Sequence, residues 1–232
     1  MNPLPKYALI TGANQGLGKV MCDEFINCGV NVIATSRTYS RVDINFNNES
    51  LVKHHLDVTD EESVIQLFEW VKKNKIKLSI LINNSGIGIF KPITKISLSE
   101  WELVISTNLN GAFLCSREAY SLMKDDGGGR IINIGSVANK IPLSNNGAYG
   151  ASKWGLRGLS GVINEEGKFD KIRCTHVTLG AVATEIWDER PEFSKSEMLD
   201  ANIVAKHIIN IALLPLDIRL DSVEIYPEKG VL

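Results

Sequence analysis

The sequence lacks several features that would each point to a particular class of protein. It has no apolar run of 18 residues and no basic segment leading into an apolar one at its N-terminus, so neither a membrane span nor a secretory signal is predicted. Lys and Arg number 25 against 27 Asp and Glu, for a net charge of -2 without long runs of one sign. This balance argues against nucleic acid or an anionic membrane as a partner. We therefore expect a cytoplasmic protein.

Cysteine is also scarce. The four cysteines form no C-x-x-C pair and no ligand-like spacing with the four histidines, so neither a disulfide framework nor a metal site is predicted. A chain of 232 residues buries enough surface to be stable without cross-links. Because no repeat or linker interrupts it, we expect one domain over residues 1–232.

Short apolar runs alternate with helical patterns along the chain. Val64, Leu67, Phe68 and Val71 recur at helical spacing behind Asp60, which is a suitable helix N-cap. Strands that alternate with helices favour a parallel sheet covered on both faces. The fold class predicted is therefore α/β, a doubly wound, mostly parallel seven-stranded sheet. Its strands are predicted at 7–10, 30–35, 52–56, 78–82, 130–135, 172–179 and 222–226.

A glycine-rich turn, TGANQGLG at 11–18, joins the first strand to the first helix. In sheets of this kind the first strand-to-helix turn normally lies where ligands bind. Glycine permits positive φ and lets a pyrophosphate approach the helix N-terminus. The turn is therefore predicted to make room for a phosphate group, and a plain tight turn is the alternative. The residues predicted to do so are Gly12, Asn14, Gln15, Gly16, Leu17 and Gly18.

Five motifs in register resemble those of the short-chain dehydrogenase/reductase family in its compact single-domain form. The resemblance implies a Rossmann-like fold and hydride transfer between a nicotinamide cofactor and a small carbonyl or alcohol substrate. It extends from about residue 6 to Thr184. The motifs are TGANQGLG (11–18), NNSG (83–86), Asn108, Ser136 and YGASK (149–153).

Three of these residues form a candidate catalytic set. Tyr149 and Lys153 are four apart and share one face of a helix, where an ammonium lowers the pKa of a phenol. The pair can then act as a general acid or base. Ser136 follows a predicted strand, where its hydroxyl can hold a substrate oxygen or merely make a local turn bond. The resemblance implies that the serine orients substrate, the tyrosine is the acid/base, and the lysine also binds the nicotinamide ribose.

Asn108 is the fourth catalytic candidate. By itself, an asparagine in the middle of a helix commonly bonds backbone or faces water. The resemblance implies that Asn108 holds a water that links Lys153 to solvent, with the neighbouring Asn110 as a local competitor.

Further cofactor contacts follow from the resemblance alone. It assigns Asp57 to the adenine amine, although a helix cap is an alternative for this carboxylate. It assigns Asn83 and Gly86 to the stabilisation of the central strands and to the adenosine ribose side, and it adds Val58 and Asn84 as further cofactor contacts. Val182 and Thr184 match residues that contact the carboxamide.

Two positions depart from the family pattern. Leu179-Gly180 stands where the family commonly has Pro-Gly, so the bend after the sixth strand is less rigid. Gly135 replaces a frequent serine just before Ser136. This second change is expected to matter little, because Ser136 carries the catalytic role.

The choice between NAD(H) and NADP(H) depends on the end of the second strand. A ribose 2′-hydroxyl is normally held by an acid, and a 2′-phosphate needs a cation. No acid lies between Glu24 and Asp43, whereas Arg37 follows the strand. The cofactor predicted is NADP(H), although exposed arginines are often only solvated. Candidate assistants of Arg37 are Ser36, Thr38 and Arg41.

Residues 185–199 lie where the family keeps a substrate lid. Trp187, Phe193, Met198 and Leu199 can cover an apolar carbonyl compound, but such a segment can also be plain surface. The helices of Asn108 and Tyr149 commonly pair between subunits in the family, so a homodimer or homotetramer is expected. Packing of these helices on their own sheet is the alternative.

Two other functions stay open. A protein of this fold can bind NADP without turnover and act as a sensor or scaffold, although an intact Ser136, Tyr149 and Lys153 set argues against this. Epimerases and dehydratases of the extended branch use a different glycine spacing and a longer substrate domain.

Overall fold

One parallel sheet forms the centre of the protein, for which a computed structural model describes residues 7–39, 50–185 and 194–231. All neighbouring strands in it run parallel, in the order β3-β2-β1-β4-β5-β6-β7 from edge to edge. The predicted doubly wound α/β fold and its seven strands are confirmed, with small shifts at strand ends. The strands are β1 (Tyr7–Thr11), β2 (Asn31–Ser36), β3 (Leu51–His55), β4 (Leu78–Asn83), β5 (Gly129–Ile134), β6 (Ile172–Leu179) and β7 (Ser222–Ile225).

Helices cover both faces of this sheet. A π-helical turn at Ser106–Asn110 lies between the third and fourth helices, and single 3-10 turns occur at Val137–Asn139 and Lys195–Glu197. No helix of the described residues has the length and apolarity needed to cross a bilayer. The helices are α1 (Gly16–Asn27), α2 (Glu61–Lys73), α3 (Leu98–Ile105), α4 (Gly111–Asp125), α5 (Gly147–Glu166) and α6 (Ala201–Ala212).

The sheet separates two apolar cores, because successive side chains of a strand point to opposite faces. On β5, Ile132 packs into the core formed with α1 and α6, while Ile131 packs into the core formed with α2, α4 and α5. The predicted stripe of α2, from Val64 to Val71, is buried in the second core. Asp60 caps α2 as predicted, with its carboxylate accepting a hydrogen bond from the Glu62 N–H at 3.1 Å.

The strand order places a crevice beside the first glycine turn. From β1 the chain builds outward through β2 and β3 on one side, and the later strands continue from β4 on the other. The strand order therefore reverses between β1 and β4, and the connections after these two strands diverge there. In open parallel sheets this is where ligands bind, at the carboxyl ends of the strands.

Candidate active site

A cavity of about 640 Å³ opens at the carboxyl ends of the strands. It is lined by almost every residue that the sequence predicted for cofactor binding or catalysis, and the exceptions are Gly18, Asn83 and Asn108. The predicted residues that line it are Gly12, Asn14, Gln15, Gly16, Leu17, Arg37, Asp57, Val58, Asn84, Gly86, Ser136, Tyr149, Lys153, Val182 and Thr184.

The glycine turn has the geometry that needs glycine. Gly12 and Gly16 adopt positive φ angles of 65° and 54°. A Cβ on Gly18 would lie 2.3 Å from the Gly12 carbonyl oxygen and 2.6 Å from Nδ2 of Asn84. Gly18 does not line the cavity, but its lack of a side chain allows α1 to pack directly on the turn.

The N-terminus of α1 points free backbone donors toward this cavity. Its N-cap, Gln15, makes no side-chain capping bond, and the first turn contains no acidic residue. The first N–H groups of a helix have no partner within the helix, and its dipole favours an anion there. Because Gln15, Gly16 and Leu17 line the cavity, the site suits a phosphate group.

Thr11 and Asn84 join the ends of β1 and β4 below the turn. Asn84 Nδ2 donates to the Thr11 and Gly12 carbonyl oxygens at 3.0 and 3.1 Å. The Thr11 hydroxyl oxygen accepts from the Asn84 and Ser85 N–H groups at 3.0 and 2.9 Å. Thr11 was not among the predicted site residues, although its place between the strand and the first glycine was an available signal.

Tyr149 and Lys153 share one face of α5, as predicted. Lys153 Nζ lies 5.6 Å from the centre of the Tyr149 ring and donates to the Ile134 carbonyl oxygen at 2.8 Å. Lys153 is buried, and this burial lowers the pKa of its ammonium to about 8. At neutral pH the group is therefore mostly charged, next to the tyrosine and to the end of β5.

Ser136 lies on the same cavity wall, two residues after the end of β5. Its oxygen accepts a hydrogen bond from the Ala138 N–H at 3.3 Å, so the local turn bond considered above does form. A hydroxyl that accepts one bond still has its own hydrogen to donate. The local bond orients Ser136 and leaves its hydrogen for a second partner.

Phe90 is a site residue that sequence reasoning missed. Its ring lines the cavity with a centroid 5.5 Å from that of Tyr149. Gly88 makes room for it, because a Cβ at that position would lie 2.3 Å from Cζ of the ring. Phe90 belongs to a loop without periodicity, so no pattern in the sequence could indicate its contact.

Asn108 is fully enclosed in the π-helical turn and does not line the cavity. Its Oδ1 accepts from the Ile87 N–H at 2.8 Å, and its Nδ2 donates to the Ile87 carbonyl oxygen at 2.9 Å. A third bond joins Nδ2 to the Ser152 hydroxyl at 3.0 Å. Asn108 thus binds the backbone of the loop after β4 and not that of its own helix, and the water expected between Asn108 and Lys153 stays a prediction. Asn110 is exposed and belongs to no part of the cavity.

The cavity end near β2 holds Arg37 and Asp57. Arg37 is exposed beside the hydroxyls of Ser36 and Thr38, which lie 3.0 Å apart, whereas Arg41 lies outside the described residues. Asp57 Oδ1 accepts from the N–H and the hydroxyl of Thr59 at 2.9 and 2.7 Å. Asp57 therefore makes a tight local turn, and the helix cap is Asp60.

The wall after β6 contains the two residues assigned to the carboxamide. Val182 is buried and pairs with Leu199 in an isolated bridge, and Thr184 lies over Gly16 of the glycine turn. The predicted lid is described only in part. Its residues 186–193, which include Trp187 and Phe193, lie outside the described ranges.

Gly135 corrects one expectation from the sequence. A Cβ at this position would lie 2.3 Å from Nε2 and 2.6 Å from Cε1 of His176, a buried residue of β6. A serine here, expected to make little difference, would collide with a ring that is enclosed on all sides. The absence of a side chain at Gly135 is therefore a packing requirement.

The fold and the cavity define a protein of the doubly wound α/β class with a ligand-sized cavity at the carboxyl ends of its strands. Comparison with known sequences makes this more specific, because the profile described as short chain dehydrogenase matches residues 6–195. The chain belongs to the short chain dehydrogenase family of oxidoreductases.

Individual relatives align with this chain along nearly their whole lengths. The NADP-dependent 3-hydroxy acid dehydrogenase YdfG of Salmonella typhi is 27% identical over 232 residues, covering 94% of each chain. Human dehydrogenase/reductase SDR family member 11 is 26% identical over 250 residues, covering 97% of this chain and 95% of its own. Among solved structures, an alcohol dehydrogenase from the archaeon Thermococcus sibiricus, complexed with 5-hydroxy-NADP, matches with a TM-score of 0.84 at 25% identity and 95% coverage of both chains.

The contact at Gly135 leads to a stability prediction. Gly135→Ala is expected to lower the free energy of unfolding by about 1–3 kcal/mol, the usual cost of overpacking. Gly150→Ala is the control, since its Cβ would meet nothing closer than the Ala138 carbonyl oxygen at 3.8 Å. Urea denaturation measures both, and equal stability of the two variants would contradict the steric argument.

Proposed function

We propose that the chain is an NADP(H)-dependent oxidoreductase that interconverts a small carbonyl compound and the corresponding alcohol. The observation that carries this proposal is the convergence of Ser136, Tyr149 and Lys153 on one cavity that begins at the glycine turn. A hydroxyl, a phenol and an ammonium around one space are suited to acid/base chemistry on a carbonyl oxygen.

The residues of the cavity fit a dinucleotide. The uncapped N-terminus of α1 and the bare backbone at Gly12 and Gly16 would hold the pyrophosphate. Arg37 would hold a 2′-phosphate, because a guanidinium forms strong charge-assisted bonds with phosphate oxygens. Lys153 and Tyr149 would bind the nicotinamide ribose. The NADP named for two of the similar proteins supports the same choice.

The chain's own groups perform the proton chemistry of the proposed reaction. NADPH, when bound, supplies the hydride for the carbonyl carbon. The Tyr149 hydroxyl donates its proton to the carbonyl oxygen, which becomes the alcohol. The Ser136 hydroxyl donates a hydrogen bond to the same oxygen and holds it beside Tyr149. The positive charge of Lys153 stabilises the phenolate that remains, and the alcohol is oxidised by the reverse steps.

Asn108 acts in this scheme as a positioning residue. It binds both backbone groups of Ile87, which follows Gly86 in the cavity wall. Its third bond reaches Ser152 on α5, whose hydroxyl donates to the Tyr149 carbonyl oxygen at 2.7 Å. Asn108 thereby ties the loop after β4 to the helix turn that carries Tyr149.

Replacing the tyrosine hydroxyl tests the proposal directly. Tyr149→Phe is expected to lower kcat on the order of 10²- to 10⁴-fold, the usual contribution of general acid catalysis. NADPH binding is expected to persist, since the ring and its contact with Phe90 are kept. The measurement is NADPH consumption over a panel of ketones, aldehydes and quinones.

The same assay separates the enzyme from a sensor. Turnover by the natural protein that is lost in Tyr149→Phe supports the reductase. If both proteins bind NADPH and neither consumes it with any compound of the panel, the proposed reaction is wrong and a non-catalytic NADP-binding role takes its place.

The proposed cofactor preference has its own test. Arg37→Ala is expected to reduce the NADPH/NADH affinity ratio about 10- to 100-fold, because a charge-assisted bond contributes about 1.5–3 kcal/mol. Fluorescence titration with each cofactor measures the ratio. Arg219→Ala removes the same charge outside the cavity and serves as the control. An unchanged ratio in Arg37→Ala would rule out this role for Arg37.

We also propose that the chain forms a homodimer or homotetramer through α4 and α5. Both helices bury one face against the sheet, yet Phe113, Trp154 and Val162 keep 45%, 51% and 53% of their surface exposed. Packing on the chain's own sheet therefore leaves this apolar surface uncovered.

Light scattering measures the assembly. The natural protein is expected to be dimeric or larger, and Trp154→Glu is expected to dissociate it, because a carboxylate is costly to bury at an interface. A monomer at all working concentrations would contradict the proposed assembly.

The cysteines support a reducing location, and we propose the cytoplasm. All four are free thiols. Burial raises the pKa of Cys22, Cys115 and Cys174 to about 12, so these three stay protonated and unreactive at neutral pH.

A further inference from the structure

We propose that His176 is a positioning residue for the proposed reaction: together with Asn139 it holds the turn that presents the Ser136 hydroxyl. The proposal rests on the function proposed above. His176 itself does not line the cavity, so it acts through its neighbours.

One buried side chain, that of Asn139, anchors the turn after β5 to β6. Ser136 accepts the Ala138 N–H on its hydroxyl oxygen at 3.3 Å and the Asn139 N–H on its carbonyl oxygen at 2.9 Å. Asn139 is completely buried, and its Nδ2 contacts Nε2 of His176 and donates to the Thr178 hydroxyl at 2.8 Å. The direction of the Ser136 hydroxyl therefore depends on how Asn139 is anchored to β6.

Gly135 also restricts the His176 ring. Gly135 packs directly against it, at a distance that leaves no room for a Cβ. The Gly135 N–H donates to the Val177 carbonyl oxygen at 2.7 Å, which holds the residue before Ser136 to the same strand. The His176 ring thus occupies the space that a side chain at Gly135 would need.

The same ring also reaches the helix of the proposed acid. Its Nδ1 lies 3.4 Å from the hydroxyl oxygen of Ser160, which accepts from Asn133 Nδ2 at 2.8 Å and donates to the Leu156 carbonyl oxygen at 2.7 Å. Ser160 and Tyr149 both belong to α5. His176 therefore links the turn of Ser136 on one side to the helix of Tyr149 on the other.

This network requires a neutral imidazole that accepts from Asn139 and donates to Ser160. Burial, together with the charges of Lys153 and Arg157, lowers the pKa of His176 to about 4. At neutral pH the ring is uncharged, and Nε2 has a lone pair for Asn139. The hydrogen on Nδ1 then points toward Ser160, so each ring nitrogen has one partner.

The test compares two substitutions of His176. His176→Leu removes both ring nitrogens, whereas His176→Gln keeps an acceptor oxygen for Asn139. His176→Leu is expected to lower kcat on the order of 10²-fold, the effect of a displacement of about 1 Å. The dissociation constant of NADPH is expected to stay unchanged, and His176→Gln is expected to recover most of the kcat.

A matched control and a second variant separate positioning from stability. Cys174→Ala alters a buried residue of the same strand that contacts Asn133 but not the turn, and it is expected to keep the natural kcat. Asn139→Ser breaks the contact from the turn side and leaves β6 intact, so it replaces His176→Leu if that variant does not fold. Its kcat is expected to fall like that of His176→Leu.

Crystal structures of the same variants decide the question without turnover. Ser136 Oγ is expected to move by about 1 Å relative to Tyr149 in His176→Leu or Asn139→Ser, and to stay in place in His176→Gln and Cys174→Ala. If the natural protein reduces no carbonyl, the proposed function fails, and the position of Ser136 alone tests this inference. An unmoved Ser136, an unchanged kcat in His176→Leu, or an equal loss in Cys174→Ala would overturn it.

Discussion

The contact between the end of β1 and the end of β4 is the constraint on which the rest of the site depends. Thr11 and Asn84 exchange hydrogen bonds across these strands, and Gly18 brings α1 against the Gly12 carbonyl. A side chain at Gly18 or a different amide geometry at Asn84 would separate the helix from the turn. The free N–H groups of α1 would then no longer face the cavity.

Helix α5 provides the second constraint, because one rigid element carries several groups at fixed spacing. Tyr149 and Lys153 face the cavity, Ser152 binds Asn108, and Ser160 contacts His176. Buried polar groups of this kind must all find partners, so the network resists displacement of any one member. The position of Tyr149 therefore depends on buried contacts of α5 as well as on Phe90 from the loop after β4.

Much of this arrangement could be predicted from local patterns. Short apolar runs predicted all seven strands, helical spacing predicted the stripe of α2, and the separation of Tyr149 and Lys153 predicted a shared helix face. Other features could not be read in this way. Asn108 lies in a π-helical turn behind the cavity wall, and Phe90 reaches Tyr149 from an irregular loop. Both depend on contacts between distant parts of the chain.

Gly135 and His176 show where local sequence patterns stop being informative and contacts in the folded protein become necessary. By itself, the sequence determined the α/β class and the glycine turn, because dihedral preferences and side-chain periods are local properties. The catalytic candidates followed from its resemblance to a known family. Only the tertiary structure decided that Gly135 must lack a side chain and that His176 is enclosed between the turn and α5. The physical reason is close packing, since what fits at one position depends on neighbours that meet only after the sheet and helices assemble.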